Sequence, residues 1–186
     1  MNILHIHPKC TLWSIELSVA QQSGRTGERQ VITLMHSDAG NPNPVDLRYR
    51  VCLNSPLYYD CDEVLSKRLA ALCGWPDVVH VHTDAESAGL VAIVRAVSRK
   101  SSMMAPLVWD LCSLEEDGDP APLLAQYAHM CDGVTSPTMD IDGLPVPFLQ
   151  IARFSVLGTG SVDQAVEPLR ELDVFYQELI HQGIEL

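Results

Sequence analysis

Four histidines fall into two pairs spaced two residues apart, His5 with His7 and His80 with His82, each inside an aliphatic run. Two-residue spacing on a β-strand puts both members of a pair on one face. If the two strands are neighbours, the four imidazoles share a small volume, with His7 and His82 nearest the strand ends. Imidazole is the commonest transition-metal ligand and the side chain whose charge changes near neutral pH. Cys10, Asp110 or Cys112 would complete a drawable metal site. The competing reading makes His5 and His80 hydrogen-bonded core residues, while His7 and His82 merely end their strands. Ligation needs convergent lone pairs, which spacing does not supply, so the sequence assigns no metal and no cofactor.

The run Val78-Val79-His80-Val81-His82, introduced by Trp75-Pro76-Asp77, reads as a parallel strand covered on both faces. It stops on a histidine where Thr83-x-x-Glu86 forms a capping box, which predicts that a helix starts there. In an open α/β sheet the carboxyl ends of the strands are where ligands bind.

The remaining elements alternate between strand and helix. Strands are expected at Asn2–His7, Gln30–His36, Arg48–Leu53, Leu107–Cys112 and Val134–Ser136, with another within Pro145–Phe154. Helices are expected at Thr11–Gln22, from a capping box at Asp60-x-x-Glu63 to Gly74, and from Asp119-Pro120 to Met130. A last amphipathic helix spans about Ser161 to His181, with Pro168 kinking it or resetting its start. This alternation specifies an α/β fold, a doubly wound, mainly parallel Rossmann-like sheet, with 3-2-1-4-5 as the natural strand order. All 186 residues fit one domain with a substantial core.

Net charge is −12, with 12 basic against 24 acidic residues, the wrong balance for nucleic acid or anionic lipid. No apolar run approaches the roughly 20 residues that span a bilayer. Met1-Asn2-Ile3-Leu4-His5 lacks the basic segment of a signal peptide and reads as the first core strand of a cytoplasmic protein. The six cysteines are scattered without a C-x-x-C pair, so reduced thiols are expected rather than a zinc knuckle or disulfide framework.

Gly158-Thr159-Gly160-Ser161-Val162-Asp163 imitates part of a dinucleotide fingerprint, but Asp163 replaces the third glycine and Ser161-x-x-Gln164 explains it as a capping box. Glu115-Glu116-Asp117-Asp119 reads as a solvated turn. No Gly-x-Ser-x-Gly elbow or Walker loop occurs.

Four stretches together resemble the N-terminal domain of GT-B glycosyltransferases of the large retaining family four. Asn2-Ile3-Leu4-His5-Ile6 is similar to that family's opening strand, and Trp75-Pro76-Asp77-Val78-Val79-His80-Val81-His82 to its "PDVVHVH" segment. Pro106-Leu107-Val108-Trp109-Asp110-Leu111 resembles "PVVWTLH", and Cys131-Asp132-Gly133-Val134-Thr135-Ser136 resembles "ADxVIxxS". The likeness covers most of residues 1–150 through the order and spacing of these stretches. It implies an acceptor-binding domain that meets a nucleotide-sugar-binding domain across a cleft.

Three departures fall on functional positions. The loop Pro8-Lys9-Cys10-Thr11-Leu12-Trp13 lacks the family's Gly-Gly turn, which lets backbone N–H groups reach the donor phosphates. Cys112 occupies the position of a histidine that approaches the transferred sugar, leaving Asp110 and Cys112 as the catalytic candidates. The donor-site pair, Glu then seven residues then Glu, occurs nowhere in the sequence. The resemblance therefore implies a degenerate acceptor-side domain with a substrate crevice of His7, Lys9, Thr11, His82, Thr83, Asp110 and Ser136. Its expected partners are a sugar or glycan acceptor and a donor-domain protein, with a homodimer possible through the C-terminal helix. The alternative is a non-catalytic protein-binding or scaffold domain reusing the fold.

Overall fold

Uninterrupted apolar runs at Asn2–His7 (β1) and Val78–Thr83 (β4) pair in parallel, with Ile3 beside Val78 and His5 beside His80. The computed structural model of the chain describes residues 1–8, 12–23, 30–36, 54–59, 62–111, 120–137, 141, 143–154 and 162–184. Gln30–His36 (β2), Asn54–Tyr59 (β3), Leu107–Leu111 (β5), Gly133–Ser136 (β6) and Phe148–Gln150 (β7) complete one sheet. Its order is β3-β2-β1-β4-β5-β6-β7, and every adjacent pair is parallel. The Rossmann-like α/β class holds. The order reverses between β1 and β4, which makes their carboxyl ends the switch point at which such sheets take ligands.

Alternation along each strand sorts two cores. Leu4, Ile6, Val79, Val81, Leu107, Trp109 and Val134 face helices Asp62–Ala71 (α2), Leu90–Lys100 (α3) and Ala121–Tyr127 (α4). Ile3, Val78 and Val108 face the opposite way, onto Leu12–Ser23 (α1) and Val166–Ile184 (α5). On this second face the intervening positions are polar: His5, His7, His80, His82, Asp110 and Thr135 are all buried.

Several boundaries differ from the sequence expectation. The third described strand is Asn54–Tyr59, whereas the segment 48–53 lies outside the described residues, as does Asp60. The helix expected at Thr83 begins instead at Leu90, and the Thr83 hydroxyl accepts from Trp109 Nε1 at 2.7 Å. Asp84 and Ser87 satisfy each other in the intervening turn: Ser87 N–H donates to Asp84 Oδ1 at 2.8 Å and Asp84 N–H to Ser87 Oγ at 3.1 Å. Helix α4 starts after Pro120 and tightens into a 3₁₀ turn at Ala128–Met130. Pro168 resets the start of the last helix: a 3₁₀ turn at Val162–Ala165 precedes α5, and Pro168 occupies its first turn, where a missing N–H costs nothing.

Candidate functional site

Register alone assembles the site. His5 of β1 lies beside His80 of β4, His82 lies beside Asp110 of β5, and Asp110 lies beside Thr135 of β6. With side chains on one face, these pairs put four imidazoles, a carboxyl and a hydroxyl in contact across three strand boundaries. His7 and His82 stack, 4.4 Å apart at 3°, and the His80 ring lies 4.3 Å from His82, tilted by 34°.

Helices α1 and α5 roof the cluster with polar groups of their own. Ser14, Ser18 and Gln21 recur at helical spacing on the buried side of α1, one turn apart. Ser18 Oγ lies 3.3 Å from His7 Nε2 while donating to the Ser14 carbonyl at 2.9 Å. Gln21 Oε1 lies 2.6 Å from His5 Nε2, and Gln21 Nε2 donates to Tyr176 Oη of α5 at 3.4 Å. Tyr176 Oη also sits 2.6 Å from His80 Nδ1, whose Nε2 is 3.2 Å from Thr135 Oγ1. At the strand end, Trp13 Nε1 donates to Asp110 Oδ2 at 3.1 Å, and the same oxygen is 2.7 Å from His82 Nδ1.

Burial governs the charges. It holds His5 down at about 4 against the side-chain bond from Gln21, and it holds His7, His80 and His82 well below the usual histidine range. Neighbouring imidazoles add repulsion at His7, His80 and His82. Asp110 is pushed up to about 7 by burial, with Trp13, Thr135 and Arg153 opposing. The Thr135 hydroxyl nevertheless makes no well-formed bond to Asp110 Oδ1, which has no hydrogen-bond partner.

Two triads have ligand atoms close enough for a cation, His5–His7–His82 and His80–His82–Asp110, each within 4.8 Å. The donor set suits a borderline metal such as zinc. The lone pairs do not. His5 and His82 spend a nitrogen each on their mutual 2.7 Å bond, and His80 has both nitrogens engaged. Only His7 Nδ1 and Asp110 Oδ1 lack partners, and they belong to different triads. Metal entry would break the mutual His5–His82 bond in the first triad and, in the second, the His82–Asp110 bond together with one of the two bonds at His80.

The structure unites some of the expected crevice residues and separates others. His7, His82 and Asp110 meet, all buried. Thr83 is buried on the opposite face against Trp109, and alternation puts Ser136 opposite Thr135. Lys9, Thr11, Cys10 and Cys112 lie outside the described residues, as do the 158–161 turn and the 115–119 acidic cluster. Sequence reasoning placed His5 and His80 as hydrogen-bonded core residues but missed Trp13, Ser18, Gln21, Thr135 and Tyr176. The serine, serine and glutamine spaced along α1 were the available signal; Tyr176 gave none within its apolar stripe.

No protein family and no curated protein matches the chain. Among solved structures, it is similar to the dodecameric FMN-dependent Ubix-like decarboxylase of Escherichia coli O157:H7. Identity is 12%, TM-score 0.55, and 94% of each chain is covered. It is also similar to Phytolacca americana UGT2, solved with UDP-2fluoro-glucose and pterostilbene, at 13% identity and TM-score 0.49, over 81% of this chain and 53% of that one. The chain thus spans about half the length of the UGT2 chain. At 12% identity the likeness to the decarboxylase shows a shared Rossmann-like fold and nothing finer. No described helix is long and apolar enough to cross a membrane.

Proposed function

We propose that this chain supplies the acceptor-side domain of a two-lobed, family-four-like sugar transferase and that transfer needs a donor-binding lobe outside these 186 residues. One observation carries the reading. The four stretches that resemble the family fall on β1, β4, β5 and β6, side by side in the sheet, so their carboxyl ends line one edge. An acceptor would lie along that edge beside His7, His82 and Asp110, with Lys9, Thr11, Thr83 and Ser136 as further contacts. Asp110, one of the catalytic candidates, is paired to an imidazole that can share its proton. The sequence holds neither a Glu-x₇-Glu donor pair nor a glycine in the loop after β1, so the donor phosphates find no family-type cradle here.

Titration calorimetry of the 186-residue chain with UDP- and GDP-linked sugars tests the reading. No saturable heat is expected. Tight binding would overturn the claim that the donor site lies elsewhere.

A second reading, a protein-binding or scaffold domain, is favoured by a different observation. His7, His82, Thr83, Asp110 and Ser136 are all buried, whereas Val166 and Val174 on α5 are 57% and 53% exposed. Val174 borders a shallow groove with Arg170, Gln177 and His181, the surface through which a homodimer would form. Light scattering of the wild type and of Val174→Lys separates the cases: a dimer lost in the variant supports this reading, and a monomer throughout removes the homodimer.

A further inference from the structure

Hydrogen bonds in the buried cluster form one continuous path from α5 to β5. Tyr176 Oη reaches His80 Nδ1 and Gln21 Nε2, Gln21 Oε1 reaches His5 Nε2, His5 Nδ1 reaches His82 Nε2, and His82 Nδ1 reaches Asp110 Oδ2. A neutral imidazole has one N–H and one lone pair, so each ring fixes the polarity of the next. With the Gln21 carbonyl turned to His5, His5 donates from Nε2 and accepts at Nδ1. His82 must then donate from Nε2, which leaves its Nδ1 as an acceptor. The hydrogen in the 2.7 Å contact with Asp110 is therefore the carboxyl proton. Drawn as imidazolium and carboxylate, the pair holds that same proton on the other side of the same bond.

We propose that this path is a proton-binding relay: the His82–Asp110 pair holds one proton, and releasing it reverses every hydrogen bond as far as Tyr176 on α5. The proton leaves to water and the pair goes from net neutral to a single negative charge. His82 then donates from Nδ1 to the carboxylate and accepts at Nε2 from His5 Nδ1. The Gln21 amide turns over, donating to His5 and accepting from the Tyr176 hydroxyl, and His80 donates from Nδ1 to Tyr176. Both polarities keep every hydrogen bond along the path, so the path has two arrangements that differ by one proton.

The groups around the pair set where release occurs. His5 and His7 approach from β1 and His80 from its own strand, Arg153 acts from beyond β7, and α5 contributes Tyr176. Helix α1 brings Trp13 and Gln21, and its Glu16 is also buried. Burial lifting Asp110 to about 7 puts release in the neutral range. Because Tyr176 is buried beneath α5, the seat of that helix on the sheet reads the state of Asp110. This inference is independent of the sugar-transfer reading.

Nitrogen-15 NMR of the imidazoles in the whole chain, from about pH 5.5 to about pH 8.5 across the ordinary histidine range, is the test. His5 and His82 should pass together from Nε2–H to Nδ1–H, and His80 from Nε2–H to Nδ1–H with the same midpoint. Asp110→Asn, which has no carboxyl proton to release, should abolish the step. Tautomers that stay fixed in the wild type, or that change at separate midpoints, would overturn the relay whether or not the variant folds. Zinc coordinated to these nitrogens in the purified protein would overturn it as well.

Discussion

His82 and Asp110 are register partners on β4 and β5, and their side chains meet at 2.7 Å with neither exposed. A carboxyl so placed costs free energy when ionised and returns some of it through its two donors, His82 and Trp13. Replacing it by alanine strands both. Asp110→Ala should lower unfolding free energy by about 2–6 kcal/mol, from one to three per orphaned buried group. Asp110→Asn should lose less than half of that. Urea denaturation measures both.

Acid should destabilise the protein before the carboxylates titrate. A histidine held below its unfolded value of 6.5 contributes stability that is intact above 6.5 and is lost as pH falls through the folded value, about 4 for His5. His7, His80 and His82 act in the same direction. For His5 alone the loss is on the order of 3 kcal/mol. Asp110 opposes this, because its raised value gives stability that is fully present below 3.8 and is lost as pH rises through about 7. Four imidazoles against one carboxyl give a net fall in melting temperature between pH 6.5 and 4, which calorimetry at stepped pH would register.

Gly133 sets the approach of α5 to the sheet. A Cβ there would stand 2.7 Å from Phe175 Cζ and 2.8 Å from Leu179 Cδ1. Gly133→Ala should therefore push α5 outward and cost about 1–3 kcal/mol, the usual penalty of overpacking. Thermal denaturation would show it, with Gly133→Val worse.

Ser102 closes α3 in a left-handed conformation, φ 54°, with Met103 N–H bonded back to the Ser98 carbonyl at 2.9 Å. Glycine tolerates that φ without the Cβ clash. Ser102→Gly should raise stability by a few tenths to about 1 kcal/mol, readable in a chevron or melting curve.

Sequence carried the sheet well because β1, β2 and β4 are nearly unbroken aliphatic runs; β2 spans Gln30–His36 in both accounts. It also placed the two histidine pairs on adjacent strands. The start of α3 was misread because Thr83-x-x-Glu86 looks like a cap, whereas the hydroxyl is claimed by Trp109, a partner 26 residues away. The site was legible in outline only. Tyr176 sits 96 residues from His80 and reads as one more apolar position on α5, and Gln21 reads as the polar tail of α1. Long-range hydrogen bonds leave no periodic trace. Alternation places Thr83 and His82 on opposite faces, a consequence that the crevice expected from the sequence did not use.

The reading of this chain as an acceptor-side domain stands or falls on whether sugar reaches the strand ends. Amide chemical-shift mapping with a panel of mono- and disaccharide acceptors is the most direct measurement. The account predicts saturable shifts clustered at His7, His82, Thr83 and Asp110. Shifts confined to α5, or none with any sugar while a protein partner binds, would contradict it.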